Sequence, residues 1–409
     1  MGWFMFWMLL ASSFGFLKLI VLASFMDAPD YGQYVAIFGL ATLGGAIASF
    51  GLIERTIKQY PRQWAEGQRS EIVDNAKAVL KTLLLRFTLL TSAGMAVVAD
   101  GEVSFDWRHV ACICLLGLLS AWLSIFASLH RAADSREVLR TFFLWRSGLG
   151  FLLALIGGVF WGWFGAMSGE ILAAVLTSVY STSALRKLYA RAPEGIHSLK
   201  ADGARLSEKG HGSLYVAGML TASTSMADRA LIGSALGSSA AGAYGVIMLL
   251  PQVFQMLVNV VTQYIGPLII KFVHLRHQDK SRISALGMQA VLLALLALIG
   301  VVALLLGKNL SFIDAFLAKF SISDISVVLA GMIAAGQIYS LIEFHLIAND
   351  GERFILVASV FAGFLFFILF ATAIYQSLSV EYFVGAAAIS RWLQVAILSW
   401  ALTRVKLST

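Results

Sequence analysis

The chain has 409 residues, 59% of them hydrophobic and only 13% charged, with a mean hydropathy of +0.82. A soluble domain is near half apolar and a quarter charged, so a soluble enzyme and a nucleic-acid binder are excluded. Continuous apolar runs, rather than alternation with period 2, exclude an outer-membrane barrel, and the net charge of +7 then reports which loops face the cytoplasm.

Apolar stretches long enough to cross a bilayer as helices recur along the whole chain. Residues 3–25 open it without a basic leader or a small-x-small cleavage site, and read as a retained first span rather than a removed signal. Spans 33–53, 79–99 and 109–129 follow. Cys112 and Cys114, two residues apart in the last of these, point to different helix faces, which predicts neither a disulfide nor a metal pair. A tight turn near Gly162 separates 142–163 from 165–185. After a basic stretch, 186–212, come 213–235, 241–269, 285–306, 325–347, 354–375 and 382–403. The sequence thus predicts an all-α integral membrane protein with twelve transmembrane helices. Of the 30 Lys and Arg residues, 21 fall in inner loops when the N-terminus is placed inside. Outer loops hold only Arg108, Lys308 and Lys319, so both termini are expected in the cytoplasm.

A shift of 210 positions aligns Gly32-Gln33-Tyr34 with Gly242-Ala243-Tyr244 and sets Lys18 opposite Asp228. Each Gly-x-Tyr opens a span after a short outer turn. A repeat of six spans runs in the same sense twice, which predicts two pseudo-twofold-related six-helix bundles around a central cavity. The expected division is 1–185, a cytoplasmic linker 186–212, and 213–409.

Eight charged residues fall within spans: Lys18, Arg86, Arg146, Glu170, Asp228, Arg229, Glu343 and Arg391. Facing lipid, they would together cost roughly 20–28 kcal/mol on the insertion scale, so most must face protein or water. Arg391, Arg86 and Lys18 lie deepest, while Arg146 is close enough to a span end to snorkel. Five basic against three acidic groups favour an anionic ligand. Gln252, Gln255, Asn259 and Gln263 line one face of the eighth span, Thr221, Ser225 and Asp228 form a stripe on the seventh, and Ser390, Arg391 and Gln394 cluster on the twelfth. Four amides in one stripe beside charges predict a wet cavity rather than helix-helix glue. The ninth and eleventh spans carry few polar residues and are expected to face lipid. Pro251 and the Gly44-Gly45 pair are expected to loosen their helices for gating.

The stretch from Leu22 through Asp30-Tyr31-Gly32-Gln33-Tyr34 to Gly51-Leu52 resembles the polysaccharide flippase branch of the multidrug/oligosaccharidyl-lipid/polysaccharide (MOP) exporter superfamily. So does the pattern from Asp228-Arg229-Ala230-Leu231-Ile232-Gly233 through Ala241-Gly242-Ala243-Tyr244 to Pro267. The resemblance implies a flippase for undecaprenyl-diphosphate-linked oligosaccharide repeat units in the bacterial inner membrane, working by alternating access in O-antigen or exopolysaccharide synthesis. It implies a cationic role for Lys18, Arg86, Arg229 and Arg391 toward the pyrophosphate. Glu343, Asp228 and Glu170 are the candidates for ion coupling. Expected partners are the lipid-linked oligosaccharide, membrane lipids, and polymerase or chain-length proteins of the same pathway.

Two other readings compete. A drug or cation antiporter of the same superfamily would want an excess of intramembrane carboxylates. A membrane glycan polymerase or ligase would want a large outer loop, and the longest here is 307–324, without a histidine. His274 and His277 lack further ligands nearby, so no metal site, no cofactor and no enzymatic activity are expected.

Overall fold

The computed structural model describes residues 2–49, 69–99, 106–132, 136–191, 211–256, 311–337, 339–349 and 351–404, with the isolated positions 52, 53, 56, 60, 63, 64, 258 and 295. The ninth predicted span, the His274–His277 pair, Asn259 and Gln263 lie outside these, as does most of the linker. Every regular element among the described residues is an α-helix. In chain order they are α1 (Gly2–Phe25), α2 (Ala28–Ser49), α3 (Arg69–Ala99), α4 (Trp107–Ala132), α5 (Arg136–Arg191), α6 (His211–Met226) and α7 (Asp228–Leu236). Then follow α8 (Ser238–Ile247), α9 (Ser311–Lys319), α10 (Asp324–Gly336), α11 (Tyr339–Ala348), α12 (Glu352–Tyr375) and α13 (Val380–Arg404). The molecule is an all-α membrane protein. Among the described residues, the helices long and apolar enough to cross a bilayer are α2, α4, α5, α12 and α13, of which α5 is itself two helices. Breaks at Ala227 and Gln337 divide the seventh and tenth predicted spans into shorter pieces.

The chain forms two compact units, one of Met1–Leu22 with Ala36–Tyr215, the other of Ala23–Val35 with Val216–Thr409. The segment 23–35, assigned on sequence to the first bundle, packs within the second unit. In unit 1, α5 is two helices joined at Trp161 and Gly162, the latter at φ 59° and ψ −145°, a backbone region open to glycine. This is the turn expected there. Its arms close because Gly157 and Gly165 face one another: a Cβ on either would run into the other's carbonyl oxygen. Around this hairpin, Ile72, Leu83, Ile125 and Phe142 form a fully buried core. α2 runs unbroken through Gly44 and Gly45. Gly45 lets α2 approach Gly117 of α4, whose carbonyl oxygen lies 2.9 Å from where a Cβ would stand.

In unit 2 the core is aromatic, with Tyr244, Phe366, Phe370 and Phe383 buried together. The sequence repeat becomes a contact. A Cβ on Gly32 would meet the Ser238 carbonyl, and one on Gly242 would meet the Ala28 carbonyl. Positions 28 and 238, and 32 and 242, are both 210 apart, so the crossing is reciprocal about a local twofold axis. Val35 Cγ2 packs 3.0 Å from a Cβ position on Gly245, again 210 residues on.

Candidate functional site

Three helix interruptions in unit 2 open onto one cavity of about 300 Å³. At the first, the α6–α7 junction, Asp228 begins a new helix and its carboxylate turns back on the chain. At the second, α8 ends at Ile247 and helical backbone resumes over 249–256, where Pro251 supplies no N–H to the turn before it. At the third, α10 stops at Gly336 and α11 begins at Tyr339. At Ala227 and Met248 the backbone stays right-handed helical and keeps its bonds four residues apart, so these irregularities bring side chains, not freed backbone, to the cavity.

Asp228 is 3% exposed and both its oxygens are engaged. Oδ2 accepts from the Tyr244 hydroxyl at 2.8 Å and Oδ1 from the Arg229 backbone N–H at 2.8 Å. Arg391 donates from Nη1 to Gln394 Oε1 at 3.0 Å, and its guanidinium carbon lies 5.0 Å from the centre of the Tyr339 ring. Its methylene stem rests on Gly336, where no Cβ intervenes. Arginine can only donate, so this bond fixes the Gln394 amide and leaves its Nε2 hydrogens for another partner. Gln252, Gln255, Thr221 and Ser225 line the same cavity. The pocket therefore gathers Arg229, Arg391, Asp228 and the described members of all three polar stripes.

Other expected site residues lie in unit 1 and are committed to partners there. Lys18 forms a buried ion pair with Glu170, and its ammonium lies 5.1 Å from the Phe38 ring centre. Arg146 interacts electrostatically with the same Glu170. Arg86 donates from Nη1 to the Ala48 and Ser49 carbonyl oxygens at 3.0 and 3.3 Å, where α2 ends and its carbonyls lack helical partners. Glu343 does not line the pocket. It stands one turn beyond Tyr339 on α11 and acts electrostatically on Arg391, a basic neighbour from α13 that local sequence does not disclose.

Sequence reasoning missed Gln337, Tyr339 and Ser359, all of which line the cavity. Gln337 was visible as an amide in an apolar span. The eleventh span is only half lipid-facing: Val360, Phe361 and Phe364 are exposed, while Ser359, Ala362 and Phe366 on its other face are buried toward the cavity. Four lining atoms, Gln337 Oε1, Ser359 Oγ, Gln394 Nε2 and Arg229 Nε, are buried and make no hydrogen bond among the described residues.

No protein-family profile matches the sequence, and no curated protein matches it. Solved structures do. A MOP-superfamily transporter from Pyrococcus furiosus, described by the reverse polarity of its binding pocket, superposes with TM-score 0.67 at 13% identity over 99% of this chain and 95% of that one. An inward-facing multidrug-resistance MATE transporter gives 0.66 at 12% identity over 97% and 94%. A mutant of the Vibrio cholerae MATE transporter VcmN gives 0.57 at 16% identity over 99% and 96%. The chain has the all-α, twelve-helix fold of MOP-superfamily transporters.

Proposed function

We propose that this protein is a flippase that moves undecaprenyl-diphosphate-linked oligosaccharide units across the bacterial inner membrane, in O-antigen or exopolysaccharide synthesis. The supporting observation is the unit 2 cavity, where two arginines face one carboxylate among amides and hydroxyls. A glycan and a diphosphate are too polar for lipid, while a prenyl tail can stay in the bilayer. Arg391 is the cation assigned to the diphosphate, because an anion in low dielectric gains most from a charge-assisted donor fork. Arg229 supports it beside Asp228, and Lys18 and Arg86, already engaged, are assigned to holding unit 1. Multidrug-resistance relatives with this fold have been captured facing inward and outward, which supports alternating access here. The lining carries more basic than acidic charge, and this weighs against a cation antiporter.

The test is translocation of a fluorescent undecaprenyl-diphosphate oligosaccharide in proteoliposomes, read as the fraction reached by an external, membrane-impermeant lectin. The protein should drive this fraction toward equilibrium across both leaflets. Arg391→Ala should slow it about tenfold or more, the consequence of losing a charge-assisted bond of about 1.5–3 kcal/mol, and Arg391→Lys should retain part of the rate. Efflux of organic cations with no lipid translocation would favour the antiporter instead.

A further inference from the structure

The cavity's hydroxyl groups have an uneven hydrogen-bond inventory. Ser225 Oγ donates to the Thr221 carbonyl at 2.7 Å, Thr224 Oγ1 to the same carbonyl at 3.1 Å, and Ser390 Oγ to the Ala387 carbonyl at 3.0 Å. A hydroxyl has one proton, so each can only accept from anything in the pocket. The Gln337 Oε1 atom is a further buried acceptor without a partner, on a side chain 8% exposed. Against these stand buried donors without partners, Gln394 Nε2 and Arg229 Nε, on side chains 3% and 5% exposed. The Ser359 hydroxyl, 3% exposed and unbonded among the described residues, can do either.

A diphosphate carries acceptors almost alone: it suits the remaining N–H donors of Arg391, but filling the rest of the pocket it would set its oxygens against the Ser225, Thr224, Ser390 and Gln337 lone pairs. An organic cation would satisfy those acceptors but meet Arg229 and Arg391. An apolar ligand would leave Gln337 Oε1, Ser359 Oγ, Gln394 Nε2 and Arg229 Nε unpaired, which is the costly outcome. Groups that both donate and accept, carried close together on a compact ring, match the inventory. Tyr339 and Phe366 add aromatic surface to the lining. A volume of about 300 Å³ is at the small end for ligand sites, the size for one ring rather than a chain.

We infer that the unit 2 cavity holds, beside the diphosphate position at Arg391, a sugar subsite that takes one uncharged pyranose residue of the transported glycan, with Gln337, Ser359 and Gln394 as its hydrogen-bonding residues. The inference rests on the flippase reading for the source of the sugar. The pairing of donors and acceptors stands on the pocket itself.

The experiment uses the full chain in lipid nanodiscs. Saturation-transfer-difference NMR is recorded with the methyl glycosides of glucose, galactose and N-acetylglucosamine, and pyrophosphate binding is followed separately by calorimetry. At least one glycoside should bind, and Gln337→Leu and Ser359→Ala should each weaken it about fivefold or more without lowering the unfolding temperature, since neither native atom has a partner to lose. Pyrophosphate binding should depend on Arg391 and be unchanged in those two variants. The inference is overturned if no glycoside binds, if both variants bind as the parent does, or if pyrophosphate binding is the one that needs Gln337 and Ser359. Glycoside binding without translocation of the lipid-linked glycan would uphold the subsite and sink the flippase reading. Translocation without glycoside binding would do the reverse.

Discussion

Arg86 and Arg391 look alike in the sequence, each a lone guanidinium deep in an apolar span, but their surroundings assign them different work. Arg86 bonds two carbonyl oxygens at the end of α2, whereas Arg391 lines the cavity, held by the Gln394 amide and the Tyr339 side chain. Arg86→Ala should therefore lower stability by about 1.5–3 kcal/mol, seen as an earlier unfolding transition in detergent, with the translocation rate per folded molecule retained. The reverse pattern, normal stability with lost transport, would move Arg86 into the substrate path. Such differences are not legible in sequence because the deciding partners are remote: Glu170 meets Lys18 across 152 positions. What was legible is that charges in lipid need partners or water. The carboxylates divide the same way. Asp228 already accepts from Tyr244 and Arg229, while Glu343 has Arg391 as an electrostatic neighbour. If Glu343 couples an ion gradient to transport, Glu343→Gln should translocate at one rate with or without a proton or sodium gradient. A parent equally indifferent to both gradients would assign Glu343 a structural role.

At the level of the helices, the repeat and the turn at Gly162 could be read directly, because both are written in small residues at fixed places. The breaks at Ala227 and Gln337 could not, since neither position carries a proline, and each lies within a run that hydropathy joins into one span. The reciprocal crossing of Gly32 and Gly242 is the element-level feature with the sharpest consequence. Each glycine faces backbone of the other segment, which has no rotamer with which to yield. Gly32→Ala and Gly242→Ala should each cost about 1–3 kcal/mol or more through overpacking. Gly15→Ala and Gly218→Ala, in helices where nothing lies within 4 Å of the new methyl, should be neutral or slightly stabilising. Monodisperse yield and unfolding temperature of the four variants decide it. Equal behaviour of all four would mean the 28–35 and 238–245 segments can separate without cost.

For the molecule as a whole, hydropathy and charge placement carry most of the fold, since crossing a bilayer constrains length and polarity more tightly than any motif. Sidedness is the further step. In unit 2, four segments read as outer turns, near residues 28, 239, 319–321 and 379–381, meet around a second cavity of about 310 Å³. Lys319 Nζ donates at 3.0 Å to the carbonyls of both Ala23 and Ser24, tying that group of turns to the end of α1. One labelled position should therefore report for all four. In a variant with Cys112 and Cys114 replaced, cysteines at the exposed positions Asp27 and Asp324 should react with a membrane-impermeant maleimide on intact cells. A cysteine at exposed Lys187, beside the basic linker, should react only after the membrane is permeabilised. The reason is that 21 basic loop residues against 3 predict one set of loops on the cytoplasmic side. Labelling of Lys187→Cys from outside, with Asp27→Cys protected, would invert the orientation and with it the direction in which a lipid-linked glycan would be turned.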